Sequence, residues 1–227
     1  MRGMQHSFFK YFSKELHAAS FLKGKIFFRS LQYFADYEDG GVRGDSDEGT
    51  HIYRPENGLE INNLTQGTTQ LLAGNEFRSS VKKGEVFVFC MSMSHSDQLS
   101  NEFHSVVCVE VHDKRKFLQS IKTKLENQGE QVWTSRVLYR DPSQPPNHRW
   151  ALPESICMTK APKFSRQNEY RIAFGKPEVF APNNVDLTII NSANRPTKQV
   201  ESTSNLTIDI GIIRDICEVH SSLGTVR

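Results

Sequence analysis

Gln167, Asn168 and Glu169 lead into a short strand-like run, Tyr170-Arg171-Ile172-Ala173-Phe174. Side chains alternate across a strand, so this spacing predicts that the Gln167 amide and the Glu169 carboxylate share one face. A fixed carboxylate stabilises positive charge that develops in a transition state, and an amide beside it can select the group that attacks. Such a pair suits the departure of a leaving group from a carbon that becomes cationic. The bland reading of Glu169 is a solvent-facing charge on a strand.

Two earlier segments carry further candidates, Phe9-Lys10-Tyr11-Phe12-Ser13 and Phe28-Arg29-Ser30-Leu31-Gln32-Tyr33-Phe34. Lys10 and Tyr11 also fit a guarded sheet edge, where Lys discourages pairing with other chains and Tyr packs well. Ser30 fits a helix N-cap as readily as a ligand contact. The acidic stretches Asp36-Tyr37-Glu38-Asp39 and Asp45-Ser46-Asp47-Glu48 offer carboxylates to a divalent cation, but their spacing is not that of an EF-hand. They read better as a solvated loop with Arg43 salt-bridged inside it. His95, His104 and His112 lack metal-ligand spacing, so no metal site is expected. There is no Gly-x-Ser-x-Gly elbow, no P-loop and no Gly-x-Gly-x-x-Gly.

The elements that must position these residues follow from apolar spacing and punctuation. Phe8 to Ser13 reads as a strand, Lys14 to Leu22 as a helix with Leu16, Ala19, Phe21 and Leu22 on one face, and Gly24 as its stop. Lys25 to Ser30 is a second strand, and Leu31 to Asp36 a turn or short helix. From Asp36 to Asn63 the Gly, Asp, Glu and Asn content predicts one long functional loop. Strands are expected at Glu85–Ser92, Ser105–Val111, Gln131–Tyr139, Leu187–Ile190 and Leu206–Ile213, and helices at Ser94–Phe103 and Asp113–Gln128, the latter capped by Asp113. Asp141 to His148, with three prolines, must be loop. Strands and short helices without regular alternation favour an α+β fold.

At 227 residues, with no obvious linker, the chain is expected to form a single domain spanning 1–227. Its 28 basic and 26 acidic residues give a net charge of +2, which argues against nucleic-acid binding by bulk charge but leaves room for a local basic groove. No apolar run approaches a membrane span and no secretory signal is evident, so a cytoplasmic protein without membrane association is expected. Cys90, Cys108, Cys157 and Cys217 are widely spaced and read as reduced thiols.

Taken together, the early Lys10-Tyr11 strand, the middle Ser30 strand and the late Gln167-x-Glu169 resemble the ADP-ribosyltransferase fold. The Gly24-Lys25-x-x-Phe28-x-Ser30 run and Glu169-Tyr170-Arg171 are also similar to a widespread uncharacterised bacterial family. The resemblance covers roughly the first 40 residues and the stretch around position 169, with an echo at Phe89-Cys90-Met91-Ser92. It implies a split-sheet architecture, NAD as substrate, and Glu169 on the ribose 2′-hydroxyl as nicotinamide leaves. It implies further that Gln167 orients the acceptor, that Ser30 and Tyr33 hold the nicotinamide ribose and ring, and that Arg43 or Arg29 pairs with the pyrophosphate. Lys10 and Tyr11 stand where the better-known enzymes carry His or Arg; His6 is an alternative there. The middle Ser-Thr-Ser motif is absent apart from Ser30.

The expected activity is transfer of ADP-ribose from NAD to a nucleic acid, RNA or DNA, as a toxin of a toxin–antitoxin or phage-defence system with a neutralising antitoxin. Lys82-Lys83, Lys114-Arg115-Lys116, Lys122, Lys124, Lys160, Lys163 and Arg166 could bind phosphates or form an ordinary solvated surface. The competitors are a protein-directed transferase, a non-catalytic nucleotide- or phage-protein-sensing module, and a metal-dependent nuclease built on Asp45 or Asp47.

Overall fold

A computed structural model of the chain describes residues 7–37, 42–193 and 204–221; His6, Glu38 and Asp39 lie outside them. The chain opens with β1 (Phe8–Phe12), α1 (Glu15–Leu22), β2 (Lys25–Ser30) and α2 (Leu31–Asp36). In α1 the buried residues are Ala18, Phe21 and Leu22, while Leu16, expected on that face, is 75% exposed. Between α1 and β2, Gly24 takes φ +84°, which only glycine adopts freely.

The Asp36–Asn63 stretch is not one loop. It contains β3 (Thr50–Tyr53) and β4 (Leu59–Asn63), followed by β5 (Thr68–Leu72) and β6 (Asn75–Ser80). These strands are polar enough to escape a search for apolar alternation, and their partners define them. β4 and β5 form a hairpin, and β6 lies between β3 and the later β13 (Asp186–Asn191).

Around these lie β7 (Phe87–Ser92), α3 (Asp97–Glu102), β8 (Val107–Val111), α4 (Lys114–Glu126), β9 (Gln131–Arg136), β10 (Leu138–Tyr139), α5 (Pro153–Cys157), β11 (Thr159–Lys160) and β12 (Glu169–Gly175). The chain ends in β14 (Asn205–Asp209) and β15 (Cys217–Ser221). Asp113 caps α4 by accepting from the Lys116 amide at 3.0 Å, and the helix buries Phe117, Ile121 and Leu125. The expected Gln131–Tyr139 strand breaks at Val137, whose amide turns to the Glu169 carbonyl at 2.9 Å.

The fold is a strand-rich mixture of largely antiparallel sheets and short helices. Its main sheet has eight strands, with the path β14-β2-β7-β1-β8-β15, β12 on β7, and β9 on β12. β7 is the branch point. One edge pairs with β12 along its whole length, Phe87 opposite Phe174 through Ser92 opposite Glu169. The other edge meets β2 only at Phe87 and Val88, and β1 only at Ser92. Phe89, Cys90 and Met91 therefore have no ladder partner on that side among the described residues. One core, including Phe21, Phe28, Phe89, Phe117 and Phe174, fills one face, and a second, including Leu31, Val88, Ile156 and Ala173, fills the other.

Candidate active site

Divergence of β1 and β2 beside β7 opens a cleft of about 510 Å³, floored by Val88–Ser92 and walled by Phe9–Phe12 and by Phe27 and Arg29. Lys10 bridges the split by donating from Nζ to the Cys90 carbonyl at 2.6 Å, in place of the missing ladder bond. The same ammonium lies 4.4 Å from the Phe89 ring centroid. Burial lowers the Lys10 pKa, because a charge in an apolar gap loses hydration. Burial pushes the Cys90 thiol up to about 12, so it stays protonated.

At the inner end, β12 turns Glu169 and Arg171 to one face. Arg171 Nε donates to Glu169 Oε1 at 2.8 Å, and Nη1 donates to Glu48 Oε1 and to the Cys157 carbonyl, each at 2.6 Å. Lys160 Nζ, on β11, lies 3.2 Å from Glu169 Oε2 and 3.9 Å from Glu48 Oε2, and donates to Gln167 Oε1 at 3.1 Å. Glu48, Lys160, Glu169 and Arg171 are 1%, 7%, 5% and 1% exposed, so the two carboxylates and two cations balance with little exposure to bulk water. Burial alone would raise the Glu169 pKa, but Arg171 and Lys160 hold it down to about 2. Burial opposes the charge on Lys160, and the two carboxylates outweigh it, leaving the amine pKa raised.

The strand argument for Gln167 fails. It is the last residue of a 3₁₀ turn, Pro162–Gln167, and Asn168 follows at φ +42°, so Gln167 and Glu169 do not alternate along one strand. They meet instead at the Lys160 ammonium. Gln167 Nε2 also donates to the Val42 carbonyl at 2.6 Å, which ties down the segment carrying Arg43. Arg43 lines the cleft, donates to the Phe103 carbonyl at 3.1 Å and sits 4.9 Å from the Phe103 ring centroid. The Tyr11 hydroxyl donates to the Ser94 carbonyl and accepts from the Ser96 amide, fastening the loop after β7. Arg29 and Tyr33 line the cleft, with the Arg29 guanidinium 4.0 Å from the Tyr33 centroid. Ser30 does not line it: fully buried, its hydroxyl accepts from the Tyr33 amide at 3.2 Å and caps α2. No protein-family model matches the chain, and comparisons with curated proteins and with solved structures give no match.

Of the four charges at the inner end, the sequence points to Glu169 alone as part of the NAD site. Arg171 was legible in principle: a guanidinium in a buried strand, two residues from a carboxylate, needs anionic partners. Glu48 gave no local signal, since only the fold brings it 123 positions along the chain to Arg171. Lys160, which its sequence context fits to phosphate binding or to a solvated surface, is buried. Others of that group are already paired, Arg166 with Glu102 at 2.9 Å and Lys116 with Asp215 at 2.6 Å. Among the described residues, the second acidic stretch does not present free carboxylates to a metal: Asp45 is buried, Asp47 binds Arg78 at 2.5 Å and Glu48 binds Arg171. Donor atoms of Glu110, Glu218 and His220 gather within 4.8 Å on β8 and β15, where His220 already bonds Glu110 at 2.9 Å. A shallow depression of about 470 Å³ on the outer face of α4 contains none of the buried charges.

Proposed function

We propose that the protein cleaves NAD between ribose and nicotinamide and transfers ADP-ribose to a nucleic acid, acting as an ADP-ribosyltransferase toxin of a toxin–antitoxin or phage-defence system. The observation that carries this reading is a carboxylate, Glu169, whose pKa is held down to about 2, at the inner end of a cleft whose lining charges are mostly cationic. Lys25 is neutralised by Asp209 at 2.6 Å and the Glu48, Glu169, Arg171 and Lys160 set balances itself. Lys10 and Arg29 then give the lining a positive surplus, which suits a pyrophosphate. The split in the main sheet at β1, β2 and β7 further supports the ADP-ribosyltransferase-like architecture.

With a pKa near 2, Glu169 is a poor general base and a good fixed anion. Its oxygens retain lone pairs beyond those used by Arg171 and Lys160, so one can accept a ribose hydroxyl. The glycosidic carbon–nitrogen bond breaks, the nicotinamide nitrogen keeps the electron pair and leaves neutral, and the anion stabilises the oxocarbenium carbon. An acceptor nitrogen or oxygen attacks that carbon and releases its proton to water. Gln167, Lys160 and Arg171 position Glu169 and the Arg43 segment. Tyr33 already stacks on Arg29, so any role it has in NAD binding runs through that guanidinium.

One observation favours a second reading, a non-catalytic nucleotide-sensing module: both Glu169 oxygens are engaged within the chain. Labelled NAD, incubated with wild type or Glu169→Gln and with RNA, DNA or cell extract, separates the two. Transfer to nucleic acid that falls at least about 100-fold in the variant supports the transferase. Saturable NAD binding with no cleavage, equal in both proteins, supports the module, and label in protein alone redirects the acceptor class.

A further inference from the structure

β2 buries Ile26, Phe28 and Ser30 and turns Lys25, Phe27 and Arg29 the other way. On that face the Arg29 guanidinium lies 4.8 Å from the Phe27 ring centroid and 4.0 Å from that of Tyr33. Tyr33 in turn stacks on Tyr37, with centroids 5.0 Å apart and planes 27° from parallel. Phe27, Arg29, Tyr33 and Tyr37 thus form a continuous cation–aromatic stack across two consecutive elements, and the first three line the cleft that leads to Glu169. Phe27, at the open end, is 44% exposed.

A planar guanidinium between rings, with a further ring open to solvent, is a surface on which another flat π-system can continue the series. Unpaired nucleobases supply such faces at regular intervals and bring phosphates to the cationic surplus of Arg29 and Lys10. A duplex hides its base faces, and the chain's near-balanced total charge gives little general attraction for one. We infer that the Phe27–Arg29–Tyr33 stack is a platform for the bases of a single-stranded nucleic acid, laid along the β2 wall of the cleft. Where that strand leads rests on the proposed transferase reading; binding to the platform does not.

The test is fluorescence anisotropy in the absence of NAD, with a labelled single-stranded 12-mer of DNA or RNA and a duplex of equal length. The single strand is expected to bind at least about tenfold more tightly than the duplex. Phe27→Ala should weaken it about tenfold and Phe27→Trp should preserve it, a pattern that a folding defect would not produce at so exposed a side chain. Arg29→Ala should weaken binding and flatten its salt dependence by about one charge. No binding, equal binding of duplex, or indifference to Phe27→Ala overturns the platform. NAD cleavage without oligonucleotide binding overturns it while leaving the reaction standing. Phe27-dependent binding by a protein that does not cleave NAD does the reverse.

Discussion

The chemistry of Lys10 departs from that of a surface lysine. Its ammonium bonds the Cys90 carbonyl in the split of the sheet, and burial there lowers its pKa from the usual lysine value of 10.5. A lowered amine pKa means that charge is lost earlier as pH rises. If that charge meets the pyrophosphate, KM for NAD should climb on the alkaline side at a pH below 10.5 while kcat stays level. Lys10→Arg should abolish that limb, because a guanidinium remains charged throughout. A KM profile that is the same in both proteins would remove Lys10 from phosphate binding. Lys10 also shows what the sequence could tell at this scale: residue type and an early strand were readable, and so was Glu169. Ser30 was readable only as two alternatives, and the buried hydroxyl of the α2 cap is the local one. The partners Glu48 and Lys160 were not readable, because their distance in sequence from Arg171 and Glu169 leaves no periodicity to detect.

At the scale of elements, the apolar pieces were the legible ones. The opening strand–helix–strand, the Glu85–Ser92 strand and the Asp113-capped helix have strong apolar spacing or clear caps, and the structure gives them within a few residues. β3 to β6 were missed because they are polar and owe their definition to cross-strand partners, as in the Thr50–Ser80 side-chain bond at 3.0 Å. Tertiary contact also explains why Gly24 does more than stop a helix. A Cβ at Gly24 would lie 1.8 Å from the Gly211 carbonyl oxygen, and the Gly24 carbonyl accepts from the Ile210 amide at 3.0 Å. This close approach brings β14 onto β2 and so shapes the wall that carries Phe27 and Arg29. Gly24→Ala combines a positive φ with a backbone clash and should cost at least about 2 kcal/mol in denaturant unfolding. Gly74→Ala, also at positive φ but in open space, should cost less. Equal losses would mean that the approach to Gly211 carries no special weight.

For the whole molecule, the Glu48–Arg171–Glu169–Lys160 set is where separate parts of the chain are joined. Arg171 on β12 reaches Glu48 before β3 and the Cys157 carbonyl at the end of α5, so one guanidinium ties three segments together. Arg171→Met would fill similar space but leave two buried carboxylates facing Lys160 alone, and should destabilise the fold by about 3–5 kcal/mol. The same set predicts how stability responds to acid. The Glu169 pKa falls from a reference of 4.5 to about 2 in the folded state, so its contribution is fully present above 4.5 and is lost as pH drops towards 2. The difference corresponds to roughly 3 kcal/mol between those limits. Chemical unfolding of wild type and Glu169→Gln across pH 2 to 6 should therefore give curves that converge at the acid end and are fully separated above about pH 4.5, with wild type the more stable. Parallel curves would mean that Glu169 titrates no differently when folded. They would also take away the fixed anion on which the proposed stabilisation of the oxocarbenium depends, so a stability measurement with no substrate present bears directly on the chemistry.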